Sequence, residues 1–414
     1  MTPGPTPLEP IDWDAYRRWF LRGRLFRLAV QVRTLATATV GVLLTLFGWW
    51  GAAQLFSAAD DPALRRLIDG YVSCPWTAAE SRGMASEPDL WTGSLVRTPP
   101  PGAPPSDAFL DPWRRLTAPV VQLFDVSRSP AGTVFLLLCI VWSAAVWALL
   151  GGAITRGAVL QLTRDAPAST AVCLRHAARR FASYFAAPLL PLCVVAGVGL
   201  ATALVVGLPM RLTPLIGGLL WPLVVLAGLI MAVFIAALPV GWPLMHATLS
   251  TEGSDGFDAV SRSYAYVYQR PLHYLAYAAS AVVLGALGLI VVSLFARAAG
   301  NLAAWGVSWG AGADLVREAL AAETAANARF GFRLIRFWHG TIDVVVLGFA
   351  FGYFWTAAAA IYLLLRHDAD GVPVDEVYLD DTGPTADLND LATERPTEDD
   401  AVVPQPADIT TQPE

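Results

Sequence analysis

The sequence predicts an all-α, polytopic membrane protein with about six transmembrane helices in three hairpins, each preceded by a cytoplasmic amphipathic interfacial helix. Three observations lead there. The 414 residues are 55% hydrophobic and 15% charged, with a mean hydropathy of +0.50, whereas soluble domains carry roughly 25% charged residues. Six stretches run without Asp, Glu or Arg for long enough to cross a bilayer, which takes about 20 apolar residues of helix. Aromatic residues mixed with Arg precede the first, third and fifth of these stretches.

In chain order, residues 1–33 read as a cytoplasmic segment with an amphipathic helix, in which Trp13, Tyr16, Trp19, Phe20 and Phe26 lie among arginines. Glu9, Asp12, Asp14 and five Arg precede any apolar core, unlike a cleavable signal peptide, so the first span, near 34–56, is expected to be retained. The outer loop 57–130 is Pro-rich. Asp60 or Asp61 can cap a helix opening at Pro62, with Leu64, Leu67, Ile68 and Tyr71 on one face, and Asp111-Pro112 can open a second. Both are expected to cap the outer end of the bundle.

Span two lies near 131–155. Arg179, Arg180, Phe181, Tyr184 and Phe185 lead into span three, near 186–209, and span four follows near 215–238. Pro239 and Pro243 punctuate the next residues, so Pro239–Thr251 is expected to follow the interface or pack irregularly. Ser254 or Asp255 caps the helix carrying Tyr264, Tyr266 and Tyr268, which leads into span five, near 272–296. The outer loop 297–340 contains one amphipathic helix from Asp314 to Trp338, and span six lies near 343–365. Together residues 34–365 form the membrane domain. Residues 366–414 hold fourteen acids against Arg366 and Arg395; so acidic and Pro-rich a tail is expected to be disordered.

All 28 basic residues are Arg. Fourteen flank the spans on one side and six on the other, so both termini are expected in the cytoplasm. The long loop carries seven more, which weigh little because long loops translocate largely regardless of charge. The Arg clusters sit beside apolar spans, which reads as membrane-edge anchoring rather than nucleic-acid binding. Four cysteines make no C-x-x-C pair, so no metal site, cofactor or redox motif is indicated.

Candidate functional residues are few. Gly306-Val307-Ser308-Trp309-Gly310 matches the G-x-S-x-G nucleophile pattern, with His339 and Asp343 as the nearest partners, yet no strand precedes Ser308 as that turn requires. His339 and Asp343 stand four residues apart at the start of span six, where an ionisable pair is a functional hypothesis by default. Gly348 and Gly352 offer a flat face for helix packing. The span cores contain no acid and no Arg, which weighs against ion-coupled transport.

Three segments carry a resemblance. Thr251–Tyr264, Arg270-Pro271-Leu272-His273-Tyr274 and Asp375-Glu376-Val377-Tyr378-Leu379 resemble an uncharacterised multi-span membrane protein family of planctomycete-type bacteria. More remotely, the aromatic and basic lead-in to a span is similar to glycerophosphodiester phosphodiesterase membrane domains and Yip-type proteins. Neither resemblance supplies a catalytic motif. The expected function is a non-enzymatic membrane scaffold or assembly factor, contacting membrane lipids and using its interfacial helices and acidic tail for protein partners. The alternative is a permease or lipid transporter without an ion-coupling site.

Overall fold

The computed structural model describes residues 24–57, 61–69, 71, 111–125, 129–164, 168–320 and 330–378. Among them the regular elements are helices, with no strand. Residues 24–29 are helical and lead into α1 (Val32–Phe56). Two short helices follow, α2 (Pro62–Asp69) and α3 (Asp111–Leu123), and then α4 (Pro130–Arg164) and α5 (Thr170–Arg179). α6 (Phe181–Thr202) passes through a π-helical turn, Ala203–Gly207, into α7 (Leu208–Met210). Next come α8 (Pro214–Glu252), α9 (Gly256–Gln269), α10 (Pro271–Ala311), α11 (Ala313–Leu320) and α12 (Phe330–Asp370). Among the described residues six helices are long and apolar enough to cross a membrane: α1, α4, α6 with its continuation, α8, α10 and α12.

α12 is the central post, packed against α1, α4, α8 and α10. Of its most apolar window 72% is buried, against 6% for α8. Burial of that order makes α1, α4 and α12 the core, while the apolar outer parts of α6, α8 and α10 face the bilayer. The inner faces fit through glycine and indole. Trp147 of α4 stacks on Phe351 at 4.8 Å and on Trp355 at 5.7 Å. Gly41 and Gly151 make room for these rings, since a Cβ there would lie 2.9 Å from Trp147 and 2.8 Å from Trp355. Gly348 and Gly352 turn to α1, where they meet Thr39, Thr34 and Ala38.

α8 corrects the irregular course expected for Pro239–Thr251. The helix is continuous through Pro222, Pro239 and Pro243 to Glu252, and from Gly241 to Thr251 every residue is buried. A proline leaves the carbonyl four residues earlier without its partner. For Pro243 that carbonyl is Pro239 O, and the Trp113 indole of α3 donates to it at 3.2 Å. α8 stops at Gly253, whose φ of 63° is the left-handed C-cap conformation, with its N–H on Leu249 O at 3.2 Å.

Three further expectations change. α3 does not simply cap the outer end: Trp113 reaches α8, and Arg115 and Leu116 line a small cavity with Val42, Thr45 and Leu347. The segment Asp314–Trp338 is not one straight helix, because α11 packs against α12 instead of extending it in line; residues 321–329 lie outside the described residues. The first part of the outer loop 297–340 is no loop, since α10 runs on to Ala311. Most of the acidic tail and the first 23 residues lie outside the described residues.

At the end where α4, α8 and α12 finish, hereafter the base, the helices outrun any bilayer. At 1.5 Å per residue, the 41 residues of α12 span about 60 Å, twice the roughly 30 Å hydrocarbon thickness. α5 and α9 wrap this base, and the amphipathic design of α9 is plain: Gly256, Ala259, Ser263 and Tyr266 are buried at helical spacing. Asp255 caps it, accepting from Asp258 N at 2.8 Å.

Candidate functional site

The three residues of the nucleophile pattern do not assemble. Ser308 sits near the end of α10 and donates to Trp305 O at 2.7 Å. His339 lies beside Gly300, where its ring edge would be 2.9 Å from an added Cβ, and Asp343 is exposed one turn further along α12. Among the described residues no hydrogen bond or ion pair joins Ser308, His339 and Asp343, and no group of His, Cys, Asp and Glu is placed to hold a metal ion.

Polar chemistry concentrates instead at the base, where the last turns of α8 meet α4, α6, α9 and α12. Ser250 is fully buried. Its hydroxyl lies 2.7 Å from both the Thr155 and Tyr184 hydroxyls, and its carbonyl accepts from Arg156 Nη1 at 2.6 Å. Two residues earlier Thr248 and Ser263 bridge α8 to α9, hydroxyl to hydroxyl at 3.1 Å. Among the described residues neither an imidazole nor a carboxylate bonds the Ser250 hydroxyl, as an activated nucleophile would require. The hydroxyl chain ties helices together.

Glu252 is the ionic centre. Its carboxylate accepts from the Tyr362 hydroxyl at 2.5 Å, pairs with Arg262 of α9 and lies 3.5 Å from Arg366 Nε. The Glu252 and Arg366 side chains are 10% and 12% exposed, so the pair is largely shielded from water and depends on its hydrogen bonds to offset desolvation. Two more tyrosine–carboxylate pairs flank it, Tyr266 with Asp370 at 2.5 Å and Tyr277 with Asp368. Burial first, and then the Asp370 carboxylate, push the Tyr266 phenol up from its ordinary value. Burial alone pushes Tyr264 up to about 12, and its hydroxyl has no hydrogen-bond partner among the described residues.

The chain after α12 is fastened to this centre. Tyr378 N donates to Thr251 O at 2.9 Å, Arg366 Nη1 donates to Glu376 O at 2.6 Å, and Val377 is buried. The Arg180 guanidinium stands 5.0 Å above the Tyr378 ring while donating to the Gly253 and Ser254 carbonyls at the end of α8.

Arg180, Tyr184, Tyr264, Tyr266, Arg366 and Tyr378 stand out in the sequence as lead-ins to spans, as flanking charge or within the resemblance, but none as a partner in this network. The one signal was the run Thr248-Leu249-Ser250-Thr251-Glu252, where hydroxyls and an acid close an apolar helix without a break. No protein-family model, no curated protein and no solved structure matches the chain.

Proposed function

We propose that this protein is a non-enzymatic scaffold or assembly factor of the bacterial inner membrane, with both termini in the cytoplasm and the base as its cytoplasmic face. The observation that carries the reading is the fastened segment up to Tyr378. From 379 to 414 the chain holds ten acids and one Arg. A tail that only solvates needs no fixed point of departure. One that presents charge to a partner gains from leaving the body at a defined place, and α9 of that body offers exposed aromatics, with Phe257 and Tyr268 75% and 88% exposed. The dense network around Glu252 supports the same reading, because it keeps the presenting surface rigid.

Native mass spectrometry from a mild detergent tests it, comparing the full chain with one ending at Tyr378. The expected result is a stoichiometric protein partner on the full chain and none on the shortened one. The same partner on both chains, or no partner on either, overturns it.

A permease or lipid transporter is the second reading, and the π-helical turn Ala203–Gly207 favours it. Such turns loosen the regular ladder and recur at functional sites, and this one lies in the part of α6 that faces lipid, with Leu204 and Val205 exposed. Transbilayer movement of labelled phospholipid in proteoliposomes, absent from protein-free vesicles, would establish that reading in place of the first.

A further inference from the structure

A cleft opens where α1, α4, α5 and α12 meet, at the level where the lipid-facing surface gives way to the base. Arg33 and Thr34 of α1, Gln161 of α4, and Thr170 and Cys173 of α5 line it, and among the described residues the lining contains no Asp or Glu. The guanidinium of Arg33 is aimed by its neighbours: Nε donates to Gln31 Oε1 at 3.1 Å and Nη1 to Ala168 O at 2.5 Å. Those bonds use two of its five N–H donors. Among the described residues no carboxylate pairs with it. The side chains of Gln161 and Thr170 likewise have no hydrogen-bond partner among the described residues.

A second cation stands behind the cleft. Burial raises the Cys173 thiol, while the charges of Arg156 and Arg33 oppose that rise, so both guanidinium groups act on the cleft floor. Close to Arg33 in the chain, Val30 and Val32 are 41% and 82% exposed. A held cation with spare donors, two free polar side chains, no acid and exposed valines close by in the chain is the chemistry of a site for an anion that carries hydrocarbon. Arginine matches phosphate because its planar fork presents parallel donors.

We propose that this cleft binds a phosphate group, supplied as the headgroup of an anionic phospholipid, with Arg33 as its charge partner, Gln161 and Thr170 as hydrogen-bond partners and the acyl chains along Val30 and Val32. The assignment stands apart from the scaffold reading, since no residue of the acidic tail takes part. A free phosphate anion has the same recognition chemistry without the hydrocarbon.

The test uses the full chain in dodecyl maltoside and native mass spectrometry with three probes: phosphatidylglycerol, phosphatidylcholine of the same chain length, and inorganic phosphate. One phosphatidylglycerol is expected to bind in preference to phosphatidylcholine, with Arg33→Gln weakening it about tenfold, the scale of a charged hydrogen bond, and Arg33→Lys weakening it less. Thr170→Glu gives a variant whose folding is not at stake, because an acid in the first turn of α5 suits the helix dipole; it should repel the same lipid. Arg33-dependent binding of inorganic phosphate, without the lipid, keeps the phosphate site and makes a solute its source. Equal binding of both lipids, or phosphatidylglycerol bound by both Arg33→Gln and Thr170→Glu as tightly as by the unaltered chain, overturns the proposal.

Discussion

Glu252 holds three helices through one carboxylate, so its replacement separates charge from shape. Glu252→Gln keeps the volume and one acceptor for Tyr362, but it leaves Arg366 and Arg262 facing a neutral group. Breaking a buried pair on one side costs about 3 kcal/mol or more, with the share of Arg262 reduced because that side chain is 46% exposed. A fall in the thermal midpoint in detergent, relative to Asp258→Asn on the exposed side of α9, is the expected reading. Tyr264 argues the opposite way. Its hydroxyl is buried without a partner among the described residues, so Tyr264→Phe should be neutral or stabilising by up to about 1 kcal/mol. The same residue sets an alkaline limit. Because burial raises the folded-state value to about 12, the folded protein holds this proton more tightly than an unfolded chain, whose tyrosines titrate near 10. Its contribution is complete below about pH 10 and is lost as pH rises from there through about 12. Thermal melts across that range should show a smaller loss for Tyr264→Phe than for the unaltered chain.

α8 shows what a helix needs in order to pass through prolines, and why its course was hidden in the sequence. The apolar runs announce crossings because a bilayer demands unbroken apolar length, and that demand is local. Whether Pro243 ends a helix is decided elsewhere, by an indole 126 positions away that satisfies Pro239 O. Trp113→Phe keeps the packing and removes the donor; the expected cost is about 1 kcal/mol, with faster amide hydrogen exchange at Leu244 and Met245 and little change in α12. An unchanged exchange rate would mean that α8 holds its course without α3. The extension of α10 and α12 beyond their apolar runs was hidden for a related reason. Arg297 and Asp343 interrupt the hydropathy but not the helix, since a charged residue at a helix surface costs little where water or headgroups reach it. The base was least legible of all. Ser250, Thr155 and Tyr184 carry no spacing that marks them; they meet only because α4, α6 and α8 converge.

Across the whole molecule, the order of the base and the identity of the tail are separable. A chain ending at Asp370 loses the Arg366–Glu376, Tyr378–Thr251 and Arg180–Tyr378 contacts and should melt lower by about 1–2 kcal/mol, whereas a chain ending at Tyr378 should melt with the full-length protein. Equal melting of all three would show that the segment 371–378 is only resting on the base. Reading such differences needs a signal that reports assembly of the core rather than helix content, and the clustered indoles provide one. Trp147, Trp242 and Trp355 come from α4, α8 and α12, with ring centroids 5.7 and 5.2 Å from Trp355. Aromatic transitions held that close and at fixed angles couple, so the three helices together should produce a signed pair of near-ultraviolet circular dichroism bands that no one helix produces alone. Loss of that couplet with the far-ultraviolet spectrum intact would report helices that have parted without unwinding, which gives this protein an optical gauge of its own assembly.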